Sequence, residues 1–536
     1  MKKALPILIL LLLVAMGIRL YPTLISGMPF STDAWPLIRN TKILLQNTPL
    51  PLNSNLFDGY NNFWPLSSVF GAVFSEITTL PAETALALGI PIAAALAIPI
   101  FYMITKKITQ STKMSLIATA LLATAFPYAL FTAGVTKETF ASPIYLALIL
   151  VFLLKHNWKT VALFSVLSVA LVMAHHLTSF IAIGVIATLC VASFISKNKT
   201  EKVNSGTSNF VLLAILSAVT AAYFLLYAGS AFIITLTSSD LLTVGAYQIL
   251  IAALMVYVAF SAKNFSRKIT ILNAAVGFAA AFLFILLLTQ VPLMSTAPLL
   301  PTYYLLYALP FIIAVPMIIF GLNELYQKNS KLITPLFWIT SIIAFACYAV
   351  FANPVSGVSY VARSINFMLP PFLILVAIGV TKLFDLAKPF RTRKIIKFAA
   401  VAIILSMAAL NTYTVYATVS LQEPYLGYFW RYEPSEYRAS SWLATNIVNQ
   451  SVAGDSKANY LVHGYFGLNV SVTAGLSYLA GDGSPPKVLY IYNQMKTNGY
   501  VLYQGIPVTL PSNWTDKLAP YDCVYTNNEV TIYARR

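Results

Sequence analysis

The sequence predicts an α-helical polytopic membrane protein with about 13 transmembrane helices and a small α/β domain at its C-terminal end. Composition is the first observation behind this prediction, because 58% of the 536 residues are hydrophobic and only 10% are charged. The second is the presence of long apolar runs without any charge, such as residues 4–15 and 271–288. A soluble domain cannot bury that much apolar surface, whereas a bilayer accepts it.

The membrane spans are placed at the stretches that are nearly free of charge, because a charged side chain at a helix centre costs roughly 2.5–3.5 kcal/mol on insertion scales. They lie near residues 4–21, 82–105, 114–132, 139–154, 160–176, 178–196, 208–228, 244–262, 270–290, 303–324, 333–351, 366–385 and 398–418. We interpret the first stretch as a span, since no convincing signal-peptide cleavage site precedes Arg19. Residues 1–420 then form the membrane domain and residues 421–536 the C-terminal domain.

The net charge of +17 is explained by the predicted membrane topology. With the N-terminus in the cytoplasm, most of the 34 basic residues fall in cytoplasmic loops, with the last cluster at 382–397. Such a bias is the positive-inside signal of membrane proteins, so we exclude nucleic acid as a partner. An odd number of spans places the C-terminal domain outside the cell. The prediction is a multi-pass protein of the cell membrane with an extracellular C-terminal domain.

Two long outer segments are candidates for function, because long ordered loops tend to carry it. The first loop, residues 21–81, is expected to contain a helix up to Leu45, an Asn- and Pro-rich stretch and an interfacial helix over 64–76. In the C-terminal domain the pattern predicts a helix over 434–448 and strands over 487–492, 500–504, 523–525 and 530–534.

Two acidic residues are predicted at the outer ends of spans. Asp33 is suited to orient or deprotonate an acceptor, and the alternative is a cap for the helix that follows it. Glu138 is the second acid, with the alternative that it merely stabilises the N-terminus of a helix through the helix dipole.

Basic and imidazole side chains lie on the same predicted side. Arg363 has the planar donor geometry that binds phosphate, although it also suits snorkelling to lipid headgroups. His175 and His176 can bind a phosphate or an acceptor, but adjacent helical residues point about 100° apart, so at most one faces a shared cleft. Arg39 lies six positions after Asp33 on another helix face and can instead brace the loop.

The segment D-A-W-P-L-I-R, Asp33 to Arg39, resembles the first outer loop of the GT-C glycosyltransferases. It is most similar to the catalytic-subunit branch of the oligosaccharyltransferases, whose loop reads D-P-Y-x-x-x-R. The resemblance implies a polyprenyl-phosphate sugar donor and transfer on the outer face to a glycan, lipid or protein acceptor. It makes Asp33 and Glu138 the catalytic candidates. The substrate-binding candidates are Arg363, His175, His176, Arg39 and Trp35.

The sequence departs from that branch in two respects. It has no W-W-D-Y-G motif, which predicts transfer of a single sugar or use of a different acceptor. It has Glu138 in place of a D-x-D pattern, so the cofactor is unknown; Mg²⁺ or Mn²⁺ held by Asp33 and Glu138 is a candidate. The alternative functions are a transporter or lipid flippase and a non-catalytic scaffold. A transporter requires charged groups at mid-membrane, whereas the polar groups here collect at the outer ends of the spans.

Overall fold

The computed structural model describes residues 4–47, 49, 57, 59–195, 204–231, 238–262, 267–291, 299–324, 333–352, 354–386, 393–423, 426–447, 450–503 and 506–535. Within these ranges the helices of the membrane domain are α1 Leu5–Ser26, α2 Ala34–Gln46, α3 Leu66–Thr78, α4 Ala82–Ala95, α5 Ala97–Thr109, α6 Thr112–Thr124, α7 Phe126–Phe131, α8 Lys137–Phe152, α9 Trp158–Ala174, α10 His176–Ile195, α11 Asn204–Tyr223, α12 Ser238–Ala262, α13 Arg267–Leu288, α14 Tyr304–Glu324, α15 Thr334–Ala352, α16 Pro354–Leu386 and α17 Arg393–Ser420.

Nine helical segments of the described chain are long and apolar enough to cross a membrane. One of them is the 28-residue stretch Ala82–Thr109, in which α4 and α5 follow each other through Leu96. Four shorter apolar helices accompany them, and one of these, α3, is the helix predicted over 64–76. These helices confirm the predicted polytopic helical membrane protein.

The C-terminal domain contains four helices and seven strands in the residues described: β1 Val452–Ala453, β2 Val470–Ser471, β3 Val488–Tyr492, β4 Tyr500–Tyr503, β5 Ile506–Thr509, β6 Tyr521–Thr526 and β7 Val530–Arg535, with α18 Pro434–Asn446, α19 Ser456–Val462, α20 Val472–Ala480 and α21 Asn493–Asn498. Five strands form a mixed sheet in the order β2-β1-β3-β7-β6, and β4 pairs with β5 in a separate hairpin. The predicted helix and the predicted hairpin at the end of the chain are thereby confirmed.

An aromatic cluster joins the C-terminal domain to the first loop. Trp35 of α2 is fully buried, and its ring lies 5.2 Å from that of Tyr432, 5.8 Å from that of Tyr437 and 5.5 Å from that of Tyr465. The Tyr465 hydroxyl donates to the Glu83 carboxylate at 2.7 Å and accepts from Lys42 at 2.6 Å. Since Lys42 also pairs with Glu83, this contact fixes the C-terminal domain against α2 and α4.

Candidate functional site

The turn that carries Asp33 is held by main-chain bonds to distant segments. The Ser31 amide donates to the Trp430 carbonyl at 2.9 Å, and the Val135 amide donates to the Phe30 carbonyl at 2.8 Å. Ser31 has a φ of 98°, a left-handed conformation that non-glycine residues seldom adopt. Asp33 occupies the N-cap position of α2, yet its side chain makes no capping hydrogen bond. The cap alternative therefore does not describe this carboxylate.

Glu138 lies in the first turn of α8. Thr136 caps this helix by accepting from the Thr139 amide at 2.9 Å, so the glutamate is not needed as a cap. Glu138 is only 4% exposed, and neither carboxylate oxygen accepts a hydrogen bond from the described residues. Arg363 is a charged neighbour of this carboxylate, with its Nη1 3.7 Å from Oε2. A buried carboxylate of this kind is costly without a cation nearby.

Lys137 precedes Glu138 and lines the same cavity, but the sequence did not identify it as a candidate. Its Nζ donates to Oδ1 of Asn61 at 2.7 Å and lies 5.6 Å from the ring centroid of Trp64. The side chain is buried, with 8% of the residue exposed. The signal in the sequence was a lysine directly before an acid at the start of an outer helix, where basic residues are rare.

The histidine pair lies where α9 turns into α10. His175 is extended, with φ −161° and ψ 124°, and its Nδ1 is 2.8 Å from the Thr178 hydroxyl. The His176 ring instead packs against Trp64, with 4.7 Å between centroids. Only His175 lines the cavity described below, which agrees with the expected divergence of neighbouring side chains.

These side chains surround one cavity of about 800 Å³. The membrane domain contributes Asp33, Asn61, Lys137, Glu138, His175 and Arg363, and the C-terminal domain contributes Ser456, Lys457, Asn459, Tyr460, Thr473 and Tyr503. The structure thus brings four of the predicted residues together, although their sequence positions span most of the membrane domain. The wall from the C-terminal domain was not predicted, because it depends on tertiary contacts between α2 and α19.

Lys457 in the wall of the cavity has a strong partner within the C-terminal domain. Its Nζ is 2.8 Å from Oε1 of Glu436 and lies between the rings of Tyr432 and Tyr492, at 4.8 and 4.7 Å from their centroids. This pair is buried in the C-terminal domain, so we interpret it as a structural support of the wall.

Burial shifts the protonation of the residues around the cavity. It lowers the pKa of Lys137 to about 7, with Asp33 opposing the shift and Arg363 adding to it. It raises the pKa of Glu138 to about 7, against the effect of Arg363 and with a further rise from Asp33. Burial also holds the pKa of His175 well below its usual value, so this imidazole is neutral. Desolvation disfavours the charged form in all three cases.

Besides His176, two further predicted substrate-binding residues do not line this cavity. Trp35 is enclosed by the tyrosines of the C-terminal domain and has no surface left for a substrate, so the prediction that it binds substrate is not supported. Arg39 faces the same junction, where a Cβ added at Gly467 would lie 3.7 Å from its Nη2. It fits the alternative role of bracing the first loop.

The described residues do not fit a bound divalent cation. The carboxylates that line the cavity are those of Asp33 and Glu138, and no group of three His, Cys, Asp or Glu side chains with metal-site geometry occurs in the described ranges. Hard cations take six or more oxygen ligands, usually with several carboxylates. Arg363 and Lys137 lie beside the two acids and would repel a further cation.

No protein-family model matches the sequence, and no curated protein matches it. Among solved structures, the chain is similar to the apo oligosaccharyltransferase of Archaeoglobus fulgidus, with a TM-score of 0.59 and 14% identity over 99% of this chain and 74% of the other. It is also similar to oligosaccharyltransferase AglB of Archaeoglobus fulgidus in complex with an inhibitory peptide and a dolichol-phosphate, with a TM-score of 0.59 and 13% identity over 100% and 74% of the two chains. The protein therefore shares the fold of these archaeal oligosaccharyltransferase structures, as the resemblance in its first loop predicts.

Proposed function

We propose that the protein is an integral-membrane glycosyltransferase that transfers a sugar from a polyprenyl-phosphate donor to an acceptor on the outer face of the membrane. The observation that carries the proposal is the single cavity in which Asp33, Glu138, Arg363 and His175 meet at the junction of the two domains. The fold shared with an oligosaccharyltransferase supports it. The structure of AglB with dolichol-phosphate shows that a protein of this fold binds a lipid phosphate.

The proposed reaction is a displacement at the anomeric carbon of the sugar. The acceptor nucleophile forms a bond to that carbon, and its proton passes to the Asp33 carboxylate, which acts as the general base. The bond from the anomeric carbon to the phosphate oxygen breaks, and its electron pair leaves with the lipid phosphate. Arg363 binds this phosphate with its planar donors, and Lys137 adds a second positive charge.

The acceptor is proposed to differ from that of a sequon-directed transferase, because the chain lacks W-W-D-Y-G. The wall that faces Asp33 instead presents hydroxyl and amide groups from Ser456, Asn459, Tyr460, Thr473 and Tyr503. Such groups can hydrogen-bond a glycan, lipid headgroup or peptide. We propose transfer of a single sugar to one of these acceptors.

The test is sugar transfer by the purified full chain in proteoliposomes, with radiolabelled polyprenyl-phosphate monosaccharides as donors. Asp33→Asn removes the base and is expected to lower kcat by about 100-fold or more. Arg363→Ala is expected chiefly to raise the KM for the donor. Asp482→Asn, on an exposed loop of the C-terminal domain, is the matched control and should leave transfer unchanged. Full activity of both cavity variants would remove the chemical basis of the proposal.

The same proteoliposomes examine the transporter alternative. A flippase would move the labelled donor between leaflets without any transfer product, and Asp33→Asn would then change flux alone.

Buried Arg19 of α1 is the one charged side chain inside the first span, and its Nη1 donates to the carbonyls of Ala15 and Ala123. These bonds join neighbouring helices and indicate a packing role.

A further inference from the structure

Asp33 and Tyr460 face the same cavity from the two domains. Asp33 lies in the turn before α2, and Tyr460 belongs to α19 of the C-terminal domain. The two segments pack together, since a Cβ added at Gly464, just after α19, would lie 3.0 Å from the side chain of Pro36. Pro36 itself lines the cavity. The packing of α19 on α2 thus brings Tyr460 to the part of the cavity that Asp33 lines.

The charge of Asp33 acts directly on the phenol of Tyr460. It raises the pKa of Tyr460 above the ordinary value and is the largest cause of that rise, ahead of burial, while Arg363 opposes it. A carboxylate has so strong an effect only at short range. The phenol therefore keeps its proton near neutral pH and is a hydrogen-bond donor beside the carboxylate.

The Tyr460 hydroxyl differs from those of the tyrosines inside the C-terminal domain. Tyr432 donates to the Lys457 carbonyl at 2.9 Å, and Tyr521 donates to the Pro486 carbonyl at 2.7 Å. Among the described residues, the Tyr460 hydroxyl makes no bond of this kind, although the residue is partly buried. Tyrosine hydroxyls in protected surroundings usually have a partner. A substrate atom in the cavity can supply that partner.

The carboxylate and the phenol have opposite hydrogen-bonding roles, and this limits what fits between them. The carboxylate accepts and the phenol donates. A hydroxyl group matches both, because it donates through its hydrogen and accepts through its oxygen lone pairs. A carboxamide nitrogen has two donors and no acceptor, so it satisfies Asp33 and leaves Tyr460 without a partner. The pair therefore favours a hydroxyl.

We propose that the acceptor nucleophile is a hydroxyl oxygen, held between the carboxylate of Asp33 and the phenol of Tyr460. The inference rests on the proposed function and narrows its acceptor to an alcohol. The acceptor O–H bond breaks, and its proton passes to Asp33. One lone pair of the oxygen forms the bond to the anomeric carbon, while another accepts from Tyr460. The bond from that carbon to the phosphate oxygen breaks, and its electron pair leaves with the lipid phosphate.

A hydrogen bond from Tyr460 to Asp33 during the reaction is the competing explanation. In that case the tyrosine would only position the base, and it would serve every acceptor equally. Its loss would slow transfer to hydroxyl and carboxamide acceptors by the same factor. A phenol that contacts the nucleophile affects hydroxyl acceptors selectively. The ratio of the two rates therefore separates the explanations.

The first experiment compares acceptors that differ in the nucleophile. The wild-type full chain in proteoliposomes receives a labelled polyprenyl-phosphate monosaccharide and either an alkyl glycoside, a serine peptide or the same peptide with asparagine. We expect transfer to a hydroxyl acceptor to be about tenfold faster, or more, than transfer to the asparagine peptide. The two hydroxyl acceptors show whether the alcohol belongs to a sugar or to a peptide. Equal or faster transfer to the asparagine peptide would overturn the inference.

The second experiment compares tyrosine variants. Tyr460→Phe is expected to lower kcat/KM for the hydroxyl acceptor by about tenfold, to leave the KM for the donor unchanged and to narrow the preference over asparagine. Tyr525→Phe is the matched control in the same domain. Its ring stacks on Trp442 outside the lining of the cavity, and its hydroxyl accepts a bond from Asn527. The control should keep the wild-type rates. Unchanged rates in Tyr460→Phe, or an equal loss with all acceptors, would refute the contact with the nucleophile.

The two proposals fail in distinguishable ways. Release of free sugar from the donor reports the reaction with water, which has the donor and acceptor groups of an alcohol. If the wild-type protein neither transfers nor releases sugar, the proposed function itself is wrong. If it only releases sugar, Tyr460→Phe must slow that release, and an equal rate would contradict the inference. If it transfers sugar chiefly to asparagine, the transferase stands and the hydroxyl acceptor does not.

Discussion

Lys137 and Glu138 are consecutive residues whose pKa values move in opposite directions to the same value of about 7. The cause is common to both, because burial at the start of α8 disfavours the ammonium and the carboxylate alike. Below pH 7 the lysine is charged and the glutamate is neutral. Above pH 7 the lysine loses its charge and the glutamate gains one. Raising the pH through about 7 therefore lowers the net charge of the free cavity by two, because the lysine loses a positive charge and the glutamate gains a negative one.

The direction of this change in net charge predicts how donor binding depends on pH. The KM for a polyprenyl-phosphate sugar should rise as the pH increases through about 7, because the cavity loses its attraction for phosphate. In Lys137→Arg the cation persists at every accessible pH, so the rise should be shallower. The measurement is kcat/KM between roughly pH 5.5 and 8.5, which reports the ionisations of the free enzyme. An equally steep profile in Lys137→Arg would contradict the assignment, and Glu138→Gln isolates the contribution of the carboxylate.

For single residues, the sequence was most informative where charged or histidine side chains occur at positions that seldom carry them. Asp33, Glu138, His175 and Arg363 stand out because outer loops of a membrane protein contain few such groups, and the structure places all four at one cavity. Tyr460 could not be predicted, because its position beside Asp33 depends on how α19 packs against α2. Trp35 shows the opposite error: an aromatic residue beside a candidate acid suggested a substrate contact, but it forms the packing core of a domain junction.

Among the elements, α14 and α16 show how closely two apolar helices approach. A Cβ added at Gly379 would lie 1.8 Å from the Met317 carbonyl oxygen, and one added at Gly321 would lie 2.3 Å from that of Leu375. No side chain fits in either place, so the two backbones are in direct contact. Small residues at such crossings stabilise helix pairs in membranes through van der Waals contact.

Gly379→Ala should separate these helices and destabilise the protein by about 1–3 kcal/mol, as overpacking does. The matched control is Gly245→Ala in α12, where no atom lies within 4 Å of the added Cβ. That change should be neutral or slightly stabilising, because alanine favours a helix over glycine by about 1 kcal/mol. Thermal unfolding of both variants in detergent gives the comparison, and equal Tm values would show that the crossing is able to relax.

Where the sequence misplaced or missed a helix or strand, the reason is physical. Long apolar helices follow from hydropathy, but α16 begins at Pro354 rather than near residue 366, so Arg363 lies within the helix and not before it. Polar residues at a helix end lower the hydropathy signal without ending the helix. The two-residue strands β1 and β2 were missed because they are too short to show a period.

On the scale of the whole molecule, the distribution of charge predicts which side of the membrane each domain occupies. The C-terminal domain has an exposed cysteine, Cys523, whereas Cys190 is buried in the membrane domain. The exposed thiol makes the predicted orientation accessible to a chemical test.

A membrane-impermeant maleimide should label Cys523 in intact cells, because the positive-inside rule places this domain outside. The partly exposed Cys347 is replaced by serine in all variants. Lys113→Cys in a Cys523→Ser background is the control for the opposite side, since Lys113 lies exposed in the first turn of α6, next to the basic residues that end α5. It should be labelled only after permeabilisation. The reverse pattern would invert the topology and with it the outer-face reaction.

The bond between Ser31 and Trp430 has a consequence for how the protein is made. Chains emerge from the ribosome with the N-terminal end first, so the turn that carries Asp33 exists long before the segment that fixes it. Tyr460 and Tyr503 of the opposite wall arrive later still. A nascent chain with every helix inserted still lacks half of its cavity. Maturation of this protein therefore ends with the docking of its last domain, and a partly synthesised copy has only one wall of the cavity.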